Sequence, residues 1–119
     1  MPDVNTHLRV ARNNEDFSRD LISENRYLDW AVTGIFYSAI HYVEAYLATQ
    51  AIHSASHRGR DTEIYSDTNL RHIYDEISDL KNDSTQTRYQ GYVFSQSEIL
   101  SRIRPCLERV KSHIQSLLP

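Results

Sequence analysis

Apolar side chains recur along this chain at spacings of three and four, and polar stretches divide the recurrence into four runs. In the first, from about Asn5 to Glu24, Val10, Phe17 and Leu21 keep helical spacing, with Asn14 interrupting their stripe. Glu15 stands four residues before Arg19, the favourable acid-before-base order on a helix. The second run, from about Tyr27 to Ala51, carries Trp30, Val32, Ile35, Phe36, Tyr37, Ile40, Tyr42, Val43, Tyr46 and Leu47 and leaves almost no polar side. A helix apolar nearly all round must be surrounded, by its own bundle or by a second chain. Ala31, Gly34, Ser38, Ala39 and Ala45 are small enough to let those neighbours approach closely.

The third run, from about Thr68 to Leu80, opens after Asp67, a residue type that caps helices. Leu70, Ile73, Tyr74, Ile77 and Leu80 form a one-face stripe, with Arg71–Asp75 and His72–Glu76 placed to pair on the outer side. The fourth has the strongest start signal. Ser95 and Glu98 make a capping box, and Phe94 precedes it in position to staple onto Ile99. Ile99, Ile103, Cys106, Val110, Ile114 and Leu117 continue the stripe, while Pro105 removes a backbone bond to Ser101 and predicts a kink. Segments 53–66 and 82–93 read as polar connections. The expected architecture is all-α: an up-and-down four-helix bundle with a kinked last helix.

Composition agrees. A chain of 119 residues is one domain, 1–119, and 3 Gly with 3 Pro are too few for the turns of an all-β fold. The most apolar stretch, "WAVTGIFYSAIHYVEAYLA", contains His41 and Glu44 and reads as a buried helix, so no membrane partner is expected. The opening "MPDVNTHLRV" lacks the layout of a secretion signal, and Cys106 is a single cysteine; a cytoplasmic location follows as the expectation. The net charge of -3 gives no overall pull toward nucleic acid, so any such role needs a local cluster of cations.

The order of elements resembles a known family. An amphipathic helix leads into "DWAVTGIFYSAIHYVEAYLA", followed by a His/Arg-bearing loop, "LRHIYDEISDLKN", "STQTRYQGY" and a long last helix. From about Asn14 to the end, this is similar to the HEPN superfamily, the higher-eukaryote and prokaryote nucleotide-binding domains, in its small stand-alone form. The resemblance implies an all-α bundle that dimerises through its apolar helices. Many members are metal-independent ribonucleases of toxin–antitoxin, phage-defence and stress systems. Others are non-catalytic partners beside a nucleotidyltransferase. The nucleases carry an Arg followed, after four to six residues, by a His. No Arg in this chain has a His at that spacing; the nearest is "RVKSH", with Arg109 and His113 three residues apart. That departure counts against cleavage without touching the fold.

Four places remain for chemistry. His53 and His57 would share a face if the second helix ran on, but no third ligand stands at fixed spacing, so no metal is expected. Arg58 and Arg60 flank Gly59, and paired guanidinium donors match phosphate oxygens; with Arg88 and Tyr89 they form the candidate anion or nucleotide site. A simple bundle would hold these two groups apart by about 20 Å, the length of the third helix. His57, Arg109 and His113 are the candidate catalytic residues, because a His can move the 2′-hydroxyl proton while an Arg stabilises the phosphorane. The plainer reading of Arg109 and His113 is a solvated helix end favoured by the dipole. His41 and the tyrosines read as hydrogen-bonded core or interface residues, and Cys106 as an inert core residue. The expected role is therefore a non-catalytic binding or partner module without a cofactor, taking RNA or a nucleotide. A homodimer and a nucleotidyltransferase-type protein are its implied partners. A ribonuclease with a non-standard Arg/His pair and a structural dimerisation domain are the alternatives.

Overall fold

Val4–Glu24 form α1, and Asp3 starts it: its Oδ1 accepts the Thr6 N–H at 2.8 Å. The helix ends in a left-handed residue, Asn25 at φ 52°, whose N–H bonds Ile22 O while Arg26 N–H bonds Leu21 O. That is a Schellman closure, and it turns the chain within three residues into α2, Leu28–Thr49. The computed structural model describes residues 2–52 and 57–119, the side chains of His57 and Arg58 excepted, and these residues form helices and turns with no strand. The protein is all-α.

α2 lies at the centre, packed against α1, against α4 (Tyr74–Tyr89) and against α6 (Arg104–Leu117). Its own chain therefore covers it, which accounts for an apolar surface nearly all round without a second copy. The core stripe of the last run is as expected: Ile99, Ile103, Cys106, Val110 and Ile114 are all buried. Ser95 Oγ accepts the Glu98 N–H at 3.1 Å, and Phe94 is buried beside the start of that helix.

Five expectations change. The buried face of α1 is His7, Ala11, Glu15, Ser18 and Ile22, so the Val10–Asn14–Phe17–Leu21 stripe lies along its edge, with Phe17 exposed. The polar side chains on the buried face find partners: Ser18 Oγ bonds Glu15 O, and Glu15 takes Tyr42 and Lys111. Part of the 53–66 connection is helical: α3 spans His57–Ser66, anchored by the buried Ile64 and by Lys81–Asp61 at 2.6 Å.

Segment 82–93 is not a loop throughout either. After a 3₁₀ turn at Arg71–Ile73, α4 continues to Tyr89, because Asp83, Ser84 and Thr87 extend the buried stripe with polar atoms. Arg102 holds Asp83 through two bonds of 3.0 and 3.1 Å, and Thr87 Oγ1 donates to Tyr92 O at 2.7 Å. Arg71 and His72 also leave their expected helix partners, Arg71 for Tyr65 O and His72 for the ring of His113. Finally, the short α5, Gln96–Glu98, enters a π turn at Ile99–Ile103 before α6. The Arg104 N–H reaches back to Ile99 O, so wider winding precedes the proline that cannot bond Ser101.

Candidate functional site

One seam of α2 is less covered than the rest. Trp30, Thr33, Tyr37, His41 and Glu44 follow one another at steps of three and four, which places them on a single helical face. Trp30 is exposed, Tyr37 and His41 are half-buried, and Thr33 and Glu44 are buried. The fourteen steps from Trp30 to Glu44 give the seam a length of about 21 Å. The edge of α1 forms one wall, with His7, Asn14 and Phe17. The last turn of α4 and the side chain of Arg60 on α3 reach it from the other elements.

Gly34 sets the fit of the α1 wall. A Cβ there would stand 3.2 Å from Phe17 Cδ2 and 3.3 Å from Asn14 O. Without it, α1 comes close enough to seat the Phe17 ring at the rim. Two hollows flank the Trp30 indole: one of about 280 Å³ lined by Asp29, Trp30, Thr33, Thr87 and Arg88, and one of about 250 Å³ with Asn14, Phe17, Gly34 and Tyr37 added to Trp30 and Thr33.

Arg88 is the principal cation of the first hollow. Its Nη1 donates to Tyr37 Oη at 3.3 Å and to Tyr89 Oη at 3.4 Å, and its Nε to Ser84 O at 3.3 Å. The guanidinium carbon stands 5.0 Å from the centre of the Tyr89 ring and 5.8 Å from those of Phe36 and Tyr37. Among the described residues no carboxylate forms an ion pair with it, in contrast to Arg60, Lys81, Arg102, Arg109 and Lys111. Tyr89 is 74% and Trp30 56% exposed, so two aromatic faces are open beside this charge.

Arg88 and Tyr89 therefore lie at the end of a helix rather than in the expected loop. Arg60 meets the same side of α2: its Nε donates to Glu44 Oε1 at 2.7 Å, with both side chains largely buried. Tyr37 and Glu44, the two points of attachment, are seven residues apart on one face, about 10 Å along the axis. Arg88 and Arg60 both reach back to α2, so their attachment points share one face of that helix. His53 and the side chains of His57 and Arg58 lie outside the described residues. Among the described residues, no three His, Cys, Asp or Glu side chains gather as a metal site.

The side chains of the other candidate pair turn to different partners. Arg109 turns to Glu76 at 3.4 Å and to Cys106 Sγ at 3.3 Å, whereas His113 bonds Asn69 O and packs edge-on against His72. Cys106 is buried, which pushes its thiol pKa up and keeps it unreactive.

His41 is the seam residue that sequence reasoning assigned to a hydrogen-bonded place in the core or an interface. Its Nδ1 lies 3.0 Å from His7 Nδ1. Burial lowers its pKa, His7 and Arg60 lower it further, and Glu44 acts in the opposite direction. Trp30, Asp29, Thr33 and Thr87 were likewise missed. The available signal was the single line of polar and amphipathic residues on an otherwise apolar helix. Neither the family models nor the curated proteins give a match to this chain.

Proposed function

We propose that the protein is a non-catalytic, HEPN-like four-helix binding module that takes a nucleotide, or the end of a single-stranded RNA, in the seam of α2. The observation that carries this reading is Arg88: a half-buried guanidinium without an acidic partner among the described residues, framed by aromatic rings, beside an exposed indole. Arg88 meets a phosphate, and Trp30 or Tyr89 stacks on the base. Asp29, Thr33 and Thr87 offer hydrogen-bonding groups for the base edge or the sugar. The toxin–antitoxin or defence setting, and a nucleotidyltransferase-type partner, rest on the resemblance alone.

Trp30 is the chain's single tryptophan, so its fluorescence reports on this hollow directly. Titration with AMP and with a short oligoadenylate RNA, in EDTA, is expected to quench it saturably and to leave the RNA intact. Arg88→Ala should weaken binding about tenfold, the loss of one charge-assisted contact worth ~1.4 kcal/mol. No fluorescence change up to millimolar ligand, with the protein shown to be folded, refutes the proposal.

A second reading, the metal-independent ribonuclease, has one observation in its favour: Arg60 is tied to Glu44, three residues after His41 on the same face of α2, which puts an Arg and a His on one seam. RNA cleavage in EDTA that disappears in His41→Ala would establish it.

A further inference from the structure

His7 is buried on α1 and His41 half-buried on α2, with Nδ1 atoms 3.0 Å apart and ring centres 5.3 Å apart. Two imidazole nitrogens at that distance share one proton: one ring donates its N–H and the other must present a lone pair. The bond forms when both rings are neutral and of opposite tautomer. It also forms when one ring is an imidazolium. When both are imidazolium, two N–H donors point at each other and two positive charges face across the contact. We infer that the His7–His41 pair is a proton-operated latch between α1 and α2, closed with at most one net charge and opened when acid supplies the second.

The surroundings favour opening. Among the described residues, Arg60 on α3 and Glu44 on α2 act on His41, and Asp3 at the start of α1 interacts with His7. Asp3 is fully exposed and already bonded to Thr6, and Glu44 is bonded to Arg60, so neither carboxylate is placed to neutralise a second proton locally. Burial of His41, which lowers its pKa, acts in the same direction as the facing Nδ1 atoms. A His held below its unfolded value of about 6.5 contributes stability that is complete above that pH and declines as pH falls beneath it. His7 stands in the α1 wall, so release of the latch loosens that wall at one end of the seam. The inference stands on this geometry and is independent of any ligand.

The test is histidine-selective nitrogen NMR with amide hydrogen exchange on the intact chain, at about pH 7.5 and about pH 5, either side of the ordinary imidazole range. At the higher pH, His7 and His41 should show opposite tautomers. At the lower pH, after correction for intrinsic rates, exchange should accelerate in the first two turns of α1 and remain unchanged in α6. His41→Asn should abolish that selective acceleration. Two rings that titrate independently near pH 6.5 with the same tautomer overturn the latch. So does acid-independent exchange in α1, or equal acid opening in His41→Asn. If that variant does not fold, the two wild-type measurements decide alone.

Discussion

Glu15 is a carboxylate 6% exposed, and removing it tests what holds the α1 wall in place. Its Oε1 accepts the Tyr42 hydroxyl at 2.9 Å, and its Oε2 accepts Lys111 Nζ at 2.9 Å and Arg19 Nη2 at 3.3 Å. One side chain thus ties α1 to α2 and α6. The three contacts differ in value. Arg19 is half exposed and contributes a few tenths of a kcal/mol at most, and the Lys111 pair about 1 kcal/mol after solvent screening. Tyr42 is fully buried, so Glu15→Ala strands its hydroxyl at a cost of about 2 kcal/mol. The expected total is about 3 kcal/mol, against which the relief of burying a carboxylate is a partial offset. With an unfolding entropy near 2.1 cal/mol/K per residue, a chain of 119 residues loses about 12 °C in Tm. Urea and thermal unfolding followed by circular dichroism measure both quantities. Glu15→Met with Tyr42→Phe should recover most of the loss, because both polar partners then leave together. A cost for Glu15→Ala below about 0.5 kcal/mol, the range of an ordinary surface change, would refute the assignment.

Three further outcomes follow from the same contacts. Burial, and then the bond to Glu15, raise the Tyr42 pKa above its ordinary value of 10.0; the stability it lends is complete below about pH 10 and is lost as pH rises beyond it. Ultraviolet titration should therefore find a phenol that ionises only on unfolding, absent in Tyr42→Phe. Gly34→Ala gains up to about 1 kcal/mol of helix propensity but overpacks by about 1–3 kcal/mol against Phe17 and Asn14 O, so it should destabilise and shift the Trp30 emission. Arg109→Ala and His113→Ala should each change stability by no more than about 1 kcal/mol and leave the Trp30 ligand response unaltered. Loss of an RNA-cleaving activity in either variant would return catalysis to that pair.

Legibility in the sequence followed the chemistry of the buried faces. The last run was readable because apolar residues fill its inward positions and Ser95 marks its start. α4 was readable only as far as Leu80, since Asp83, Ser84 and Thr87 continue its stripe with groups that imitate a loop. α1 was assigned the wrong face for the same reason. His7, Glu15 and Ser18 are inside because of bonds to His41, Tyr42, Lys111 and the backbone, and most of these partners are far away in sequence. α3 had little pattern to read, with Ile64 as its buried anchor. Within the site, Arg88 and Tyr89 were legible as a cation beside an aromatic. Trp30 was not, because an aromatic residue on an apolar helix is ordinarily core, and only the angular position left open by α1 and α4 exposes it.

That same position bears on the homodimer implied by the resemblance. α2 is covered by its own chain, so a second copy must dock on what remains exposed, and Phe17, Trp30 and Tyr89 are the large apolar side chains around the seam. A dimer built there would cover the hollow that holds Arg88. Dimerisation and nucleotide binding would then exclude each other, and each would weaken the other by the same factor. Sedimentation velocity with and without AMP tests this directly. On this geometry, ligand shifts the protein toward monomer, and the apparent affinity read from Trp30 falls as protein concentration rises. An affinity constant across the dimerisation range would show that a second copy docks away from the seam. The Trp30–Arg88 hollow would then stay open in the dimer.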